Sequence, residues 1–262
     1  MHSSLPFISC LCCTWIRPLQ LANLIACYER FDYPEELREL VILDDAGQYP
    51  TQPSGKRWEI VSVRRRLSTL GEKRNALAAM ADLRADAFAV MDDDDAYLPW
   101  HLQSAAYALG QAEWSKTSWV WSEADATSPL ALTHARGFYH AAWAYSCEAF
   151  RRVGAYPMRN DGEDQEFSER LTRHSVTSAD PTLKFAPSFV HRWNGSGDTH
   201  ISAMGDDGWQ VMNHKRASME ICNTLNISPS REWAMLADSA IADLPQTELR
   251  CLWETRCELT DE

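Results

Sequence analysis

The sequence contains no stretch of about 20 apolar residues, so it offers no membrane-spanning helix. The apolar N-terminal run MHSSLPFISCLCCTWIRP lacks the basic leader of a signal peptide, and Arg17-Pro18 end it at a strand's length. No pair of cysteines recurs at a zinc-binding spacing among the eight present, and Cys10-x-Cys12 alternates like a strand face. Buried thiols in a reducing compartment fit this usage better than disulfides, so a cytoplasmic protein is expected. Excess positive charge is also missing. The net charge is −12, which argues against nucleic acid or an anionic membrane as partner. Internal repeats and low-complexity linkers are absent too. What remains is a chain of 262 residues, 45% hydrophobic and 24% charged, enough for one large domain with a core.

The apolar runs set the fold. Phe7–Thr14, Leu40–Leu43, Trp58–Val63 and Ala87–Met91 read as strands, the first two and the last nearly wholly apolar, as in a sheet buried on both faces. Helices are expected after Pro18, over Glu72–Leu83 and over Trp100–Leu109. This is an α/β alternation, implying a mostly parallel sheet flanked by helices. After about residue 115 the pattern is mixed. Ser118–Trp121 and Phe185–Val190 are strand-like, and Cys147–Val153, Gln165–Thr172, Gln210–Leu225 and Glu232–Ile241 are helix-like. One domain over 1–262 fits best, with a first half to about residue 95, a second over 96–204 and a helical extension over 205–262.

Ligands of open α/β sheets bind beyond the carboxyl ends of the strands. Three of the first four strands end in polar groups there: Cys13-Thr14, Asp44-Asp45 and Asp92 to Asp95. One Asp before Leu98-Pro99-Trp100 is accounted for by helix capping, but not four. In an extended chain Asp92 and Asp94 share a face, where a divalent cation relieves their repulsion, and Asp93 points away. Asp95 serves either the metal or the cap. A second acidic cluster, Asn160 to Glu166, is either a helix N-terminus favoured by the macrodipole or the seat of a rigid general base. A third, His191 to His200, surrounds two glycines, and His200 is either structural or a ligand to metal or phosphate. Arg64-Arg65-Arg66 and Lys73-Arg74 are local basic clusters of the kind that hold a phosphate, and the first reads either so or, better, as a solvated basic turn. Of the eleven tryptophans, Trp100, Trp119, Trp121, Trp143 and Trp193 either fill the core or face sugar rings.

The segments FISCLCCTWIRP, LVILDDAG, GEKRNAL, FAVMDDDDAYLP and GEDQEF, in this order, resemble the inverting nucleotide-sugar glycosyltransferases of the GT-A fold, family 2. The resemblance spans roughly residues 6 to 170, or to about 202 with the HRW…TH segment. It implies transfer of a hexose from a nucleotide sugar, UDP-linked by family expectation, to a carbohydrate or other hydroxyl acceptor. Cys13, Thr14, Arg17, Asp44, Asp45, Arg74 and Asp93 would then bind the donor. Asp92 and Asp94 would hold Mn2+ or Mg2+, with His200 completing the site. Glu163 and Trp143 would face the acceptor, and Asp164 would be the base. The Gln-x-x-Arg-Trp of processive synthases is missing; only Arg192-Trp193 remains. Residues from about 205 onward would cover the acceptor site or make a homodimer contact. Two competing readings are a haloacid-dehalogenase-like phosphatase, which also ends a strand in Asp-x-Asp, and a non-catalytic sugar- or metal-binding module. The first normally carries that motif at the start of its domain, and the intact GEDQEF argues against the second.

Overall fold

A computed structural model of the chain describes residues 5–123 and 130–192. In chain order the elements are β1 (Ile8–Thr14), α1 (Pro18–Glu29), β2 (Arg38–Asp44), β3 (Ser54–Gly55), β4 (Trp58–Ser62), α2 (Leu70–Met80), β5 (Ala87–Asp92), β6 (Ala96–Tyr97), α3 (His101–Leu109), β7 (Trp114–Ser115), β8 (Trp119–Glu123), β9 (Ala131–His134), β10 (Ala144–Ser146), α4 (Cys147–Val153), α5 (Glu163–Arg173), β11 (Ser178–Ala179) and β12 (Phe189–Arg192). The proposed helices at 210–225 and 232–241, and with them His200 and Trp193, lie outside the described residues.

The large sheet has the order β11-β7-β10-β5-β1-β2-β4-β3. β5, β1, β2 and β4 are mutually parallel, while β10 runs antiparallel between β5 and β7. Alternation along each parallel strand fills two cores. Ile8, Cys10, Cys12, Leu40, Ile42, Ala89 and Met91 meet Leu21, Leu24 and Tyr28 of α1 and Leu102 of α3. Leu11, Val41, Leu43, Phe88 and Val90 meet Leu77 of α2, Val153 of α4, and Phe167 and Leu171 of α5. Burial on both faces is why these strands are apolar throughout, and the five described cysteines are free thiols within this framework. A smaller sheet, β6-β12-β8-β9, stands beside the acidic run, because β6 follows it directly.

Two helix starts come two residues before the sequence expectation, and α3 starts one residue after it, with Trp100 as its N-cap. α2 begins at Leu70 because Thr69 accepts from Glu72 N at 3.0 Å and Glu72 reaches back to Ser68 N at 2.7 Å, a capping box. α5 begins at Glu163, two residues early, because Gly162 takes φ +68° as its N-cap and lets the chain turn sharply into the helix. Gly71, in the first turn of α2, is needed for a different reason. A Cβ there would lie 1.8 Å from Pro157 O, so only glycine lets this loop rest on the helix.

Candidate functional site

The carboxyl ends of β1, β2 and β5 converge, as parallel pairing requires: Thr14 is in register with Asp44, and Cys13 with Asp92. The acidic run does not stay extended. It turns at Asp93-Asp94 and re-enters strand at Ala96. The turn alters the facing expected from alternation, and Asp92, Asp94 and Asp95 each offer an oxygen within 4.8 Å of the others. Tyr97 Oη accepts from Asp92 N at 2.7 Å, and Asp95 Oδ1 accepts from Arg192 N at 3.1 Å, which fixes both ends of the turn. Asp93 is turned towards β1. It accepts from Thr14 Oγ1 at 2.7 Å and pairs with Arg17 Nη1 at 2.8 Å, while the same nitrogen lies 2.7 Å from Asp94 Oδ2.

The end of β2 is organised by its own carboxylates. Asp44 accepts from Ala46 N, Gln48 N and Ser62 Oγ, so it shapes the following loop. Gln48 then accepts from Ile16 N at 2.8 Å. Ile16 sits at φ +56°, a costly conformation for a β-branched residue, and that bond helps hold it there. Asp45 is buried and engaged by Lys73 Nζ at 2.6 Å, Arg66 Nη1 at 2.9 Å and Leu67 N at 3.0 Å. Arg66 also stacks over Trp15 at 4.3 Å, so the basic turn at 64–66 is only partly solvated. Lys73, expected with Arg74 as a local basic cluster for a phosphate, is buried here against the Thr14 carbonyl and Asp45.

Arg74 joins the two acidic clusters. Its Nε lies 3.3 Å from Glu163 Oε1 and its Nη1 3.5 Å from Asp92 Oδ1, with the Tyr156 ring 5.9 Å away. Glu163 is 4% exposed, and burial raises its carboxyl above the ordinary range although Arg74 opposes the shift. Beneath them, Tyr156 Oη is bonded to His140 Nε2 at 2.8 Å and to Tyr145 Oη at 2.7 Å. Asp164, beside Glu163, is half-buried and accepts from Gln165 N at 2.8 Å. Cys13 is a neutral thiol, since burial pushes it up to about 11. Trp143 is 2% exposed and packs edge-on against Trp114 and His140, so its ring is core and presents no face to a sugar. Trp100 and Trp121 are likewise buried. Hard carboxylate oxygens in a group of three fit Mn2+ or Mg2+.

No protein-family model matches the sequence, and no curated protein does. Solved structures do match. S. aureus TarS 1–349 in complex with UDP superposes with a TM-score of 0.57 at 14% identity, covering 86% of this chain and 68% of that one. Its complex with UDP-GlcNAc gives 0.56 at 14% identity, with 86% and 69% covered. The mannosyltransferase PcManGT from Pyrobaculum calidifontis, in complex with GDP-Man and Mn2+, gives 0.55 at 14% identity, with 99% and 82% covered. The fold is the GT-A glycosyltransferase fold. Within the GT-A frame the acidic turn lies where the fold reading of the sequence expected ligand chemistry, beyond the carboxyl ends of β1, β2 and β5. Among the described residues no helix is long and apolar enough to cross a membrane.

Proposed function

We propose that the chain is a metal-dependent glycosyltransferase that moves a hexose from a nucleoside-diphosphate sugar to an acceptor hydroxyl with inversion, in the manner of family 2. The observation that carries this is the grouping of Asp92, Asp94 and Asp95 at the end of β5 in a GT-A fold. The ligands of the matched structures, UDP, UDP-GlcNAc and GDP-Man with Mn2+, support the same class of donor, with UDP the expected nucleotide here. The free thiols fit a cytoplasmic, reducing setting.

Asp92 and Asp94, with Asp95, would hold Mn2+ or Mg2+, and His200 is a further candidate ligand. When bound, the ion supplies positive charge against the leaving diphosphate. Cys13, Thr14, Arg17 and the Asp44–Asp45 loop frame the donor pocket. Asp93 keeps Arg17 in place, and Lys73 does the same for Asp45. Arg74 spans donor and acceptor clusters through Asp92 and Glu163. Asp164 takes the proton of the acceptor hydroxyl. That oxygen bonds to the anomeric carbon as the bond to the diphosphate breaks on the opposite face. Asp164 suits this role by its place outside the acidic turn and in the first turn of a helix anchored by Phe167 and Leu171.

The test is a panel of UDP- and GDP-sugars with Mn2+ and simple glycoside acceptors. Nucleoside diphosphate release with an inverted product is expected. Release of inorganic phosphate instead would mark a phosphatase, and donor binding without turnover a non-catalytic module.

A further inference from the structure

A cavity lies away from the acidic turn. It has a volume of about 670 Å3 and is bordered by Tyr107, Lys116, His134, Arg136, Gly137 and Asp180. That size is ordinary for a small-molecule site. β8 separates the two places. Its carboxyl end, Glu123, is in register with Arg192, whose N–H donates to Asp95; its first residue, Trp119, is in register with His134 of the cavity. Four residues of strand put the two about 13 Å apart.

The cavity carries positive charge in a chain of net charge −12. Among the described residues neither Lys116 nor Arg136 makes an ion pair. Lys116 Nζ instead lies 4.4 Å from the centre of the Trp114 ring and 5.6 Å from that of Trp143, and burial lowers its pKa. The one carboxylate at the rim, Asp180, is committed through Oδ1 to Ser118 N, Thr182 N and Thr182 Oγ1. Both cations border the cavity, and the backbone of the β9 end shapes that border. Arg136 is held at φ +50° with its N–H on His134 Nδ1, and Gly137 at φ +78°. A Cβ on Gly137 would lie 3.0 Å from Lys116 Cε and Nζ, so the ammonium rests directly against this turn. Positive φ at a non-glycine residue is unfavourable and tends to persist where it serves a site. Half-exposed Tyr107 adds an aromatic wall at the rim.

We propose that this cavity binds an anionic saccharide, its carboxylate or phosphate held between Lys116 and Arg136, with His134 alongside. The saccharide part rests on the transferase reading, as a distal unit of the acceptor or a second sugar ligand; the anion part does not. The test is amide chemical-shift titration of the full chain with glucose 6-phosphate, glucuronate and glucose. Saturable shifts at the amides of residues 116–118 and 134–137 are expected with one or both anions below about 10 mM, and none with glucose. The anion that binds identifies phosphate or carboxylate as the group read. Arg136→Gln and Lys116→Gln should each weaken binding about tenfold, and Asp92→Asn should leave it unchanged. Because Lys116 packs on Trp114, exposed Arg136→Gln and His134→Gln remain decisive if K116Q does not fold. Equal binding of glucose, unchanged affinity in R136Q, absence of shifts at these amides, or loss of binding in D92N would each overturn the assignment. Sugar transfer in a chain that fails this titration would leave the transferase reading standing.

Discussion

Asn75 and Tyr156 hold each other by two hydrogen bonds. Tyr156 N donates to Asn75 Oδ1 at 2.8 Å, and Asn75 Nδ2 donates to Tyr156 O at 2.9 Å. The side-chain amide thus imitates a strand partner for a loop that has none. Through it α2, which carries Lys73 and Arg74, is fastened to the segment leading to Glu163 and Asp164. Asn75→Ala leaves a backbone donor and acceptor without partners and should lower stability by about 1–3 kcal/mol in urea unfolding. A stability equal to that of the parent would mean that water replaces both bonds.

Three aspartates of the turn should separate by function. Asp92→Asn is expected to weaken Mn2+ binding at least tenfold by calorimetry while the fold persists. Asp94→Asn should weaken it likewise and also lose stability, because Asp94 shares Arg17 Nη1 with Asp93. Asp93→Asn is expected to lose stability and keep Mn2+ binding. It keeps the three grouped carboxylates but breaks the buried pair with Arg17 and the bond from Thr14, at a cost of about 3 kcal/mol. Similar behaviour of all three variants in both assays would refute this division of labour.

Asp164→Asn should retain the folded state and donor affinity, because the side chain accepts only from the adjacent Gln165 N among the bonds described. Sugar transfer should fall by about 10²–10⁴-fold. Full transfer by this variant would remove Asp164 from the role of base.

His101 is buried against Tyr97 and Phe31, with Ser188 Oγ 3.0 Å from its Nδ1. Burial pushes its pKa down to about 3, so it stays neutral in the fold while the unfolded chain protonates near 6.5. A depressed folded value means stability present above 6.5 and lost as pH falls towards 3. The loss between pH 7 and 5 should be about 2 kcal/mol smaller in His101→Gln than in the parent. Parallel pH profiles for the two proteins would show that His101 titrates normally.

Much of this was legible in the residues. Strands buried on both faces announce themselves by unbroken apolar runs, and three of the four ended where the acidic and polar groups gather. What the sequence did not reveal were contacts between distant segments. Strict alternation would set Asp95 beside Asp93; the turn at 93–94 sets it beside Asp92 and Asp94. Nothing local marks Glu163 as the partner of Arg74, 89 residues away. β10 is only three residues long and takes its identity from the antiparallel neighbours on either side. Trp143 looked like a sugar platform by residue type, and packing against Trp114 made it core.

The parallel register of β1 with β2 and β5 also bears on how the protein reaches its folded state. Thr14 meets Asp93 across 79 residues of chain, and no hairpin shortcut brings parallel strands together. Helices such as α1 can form from local contacts well before these ends meet. The grouped carboxylates lie within four consecutive residues, but the bonds that tie their turn to β1, from Thr14 and Arg17 to Asp93, wait on that pairing. The link from Thr14 to Asp93, rather than the carboxylate grouping, would then be the contact that reports completed assembly of the sheet.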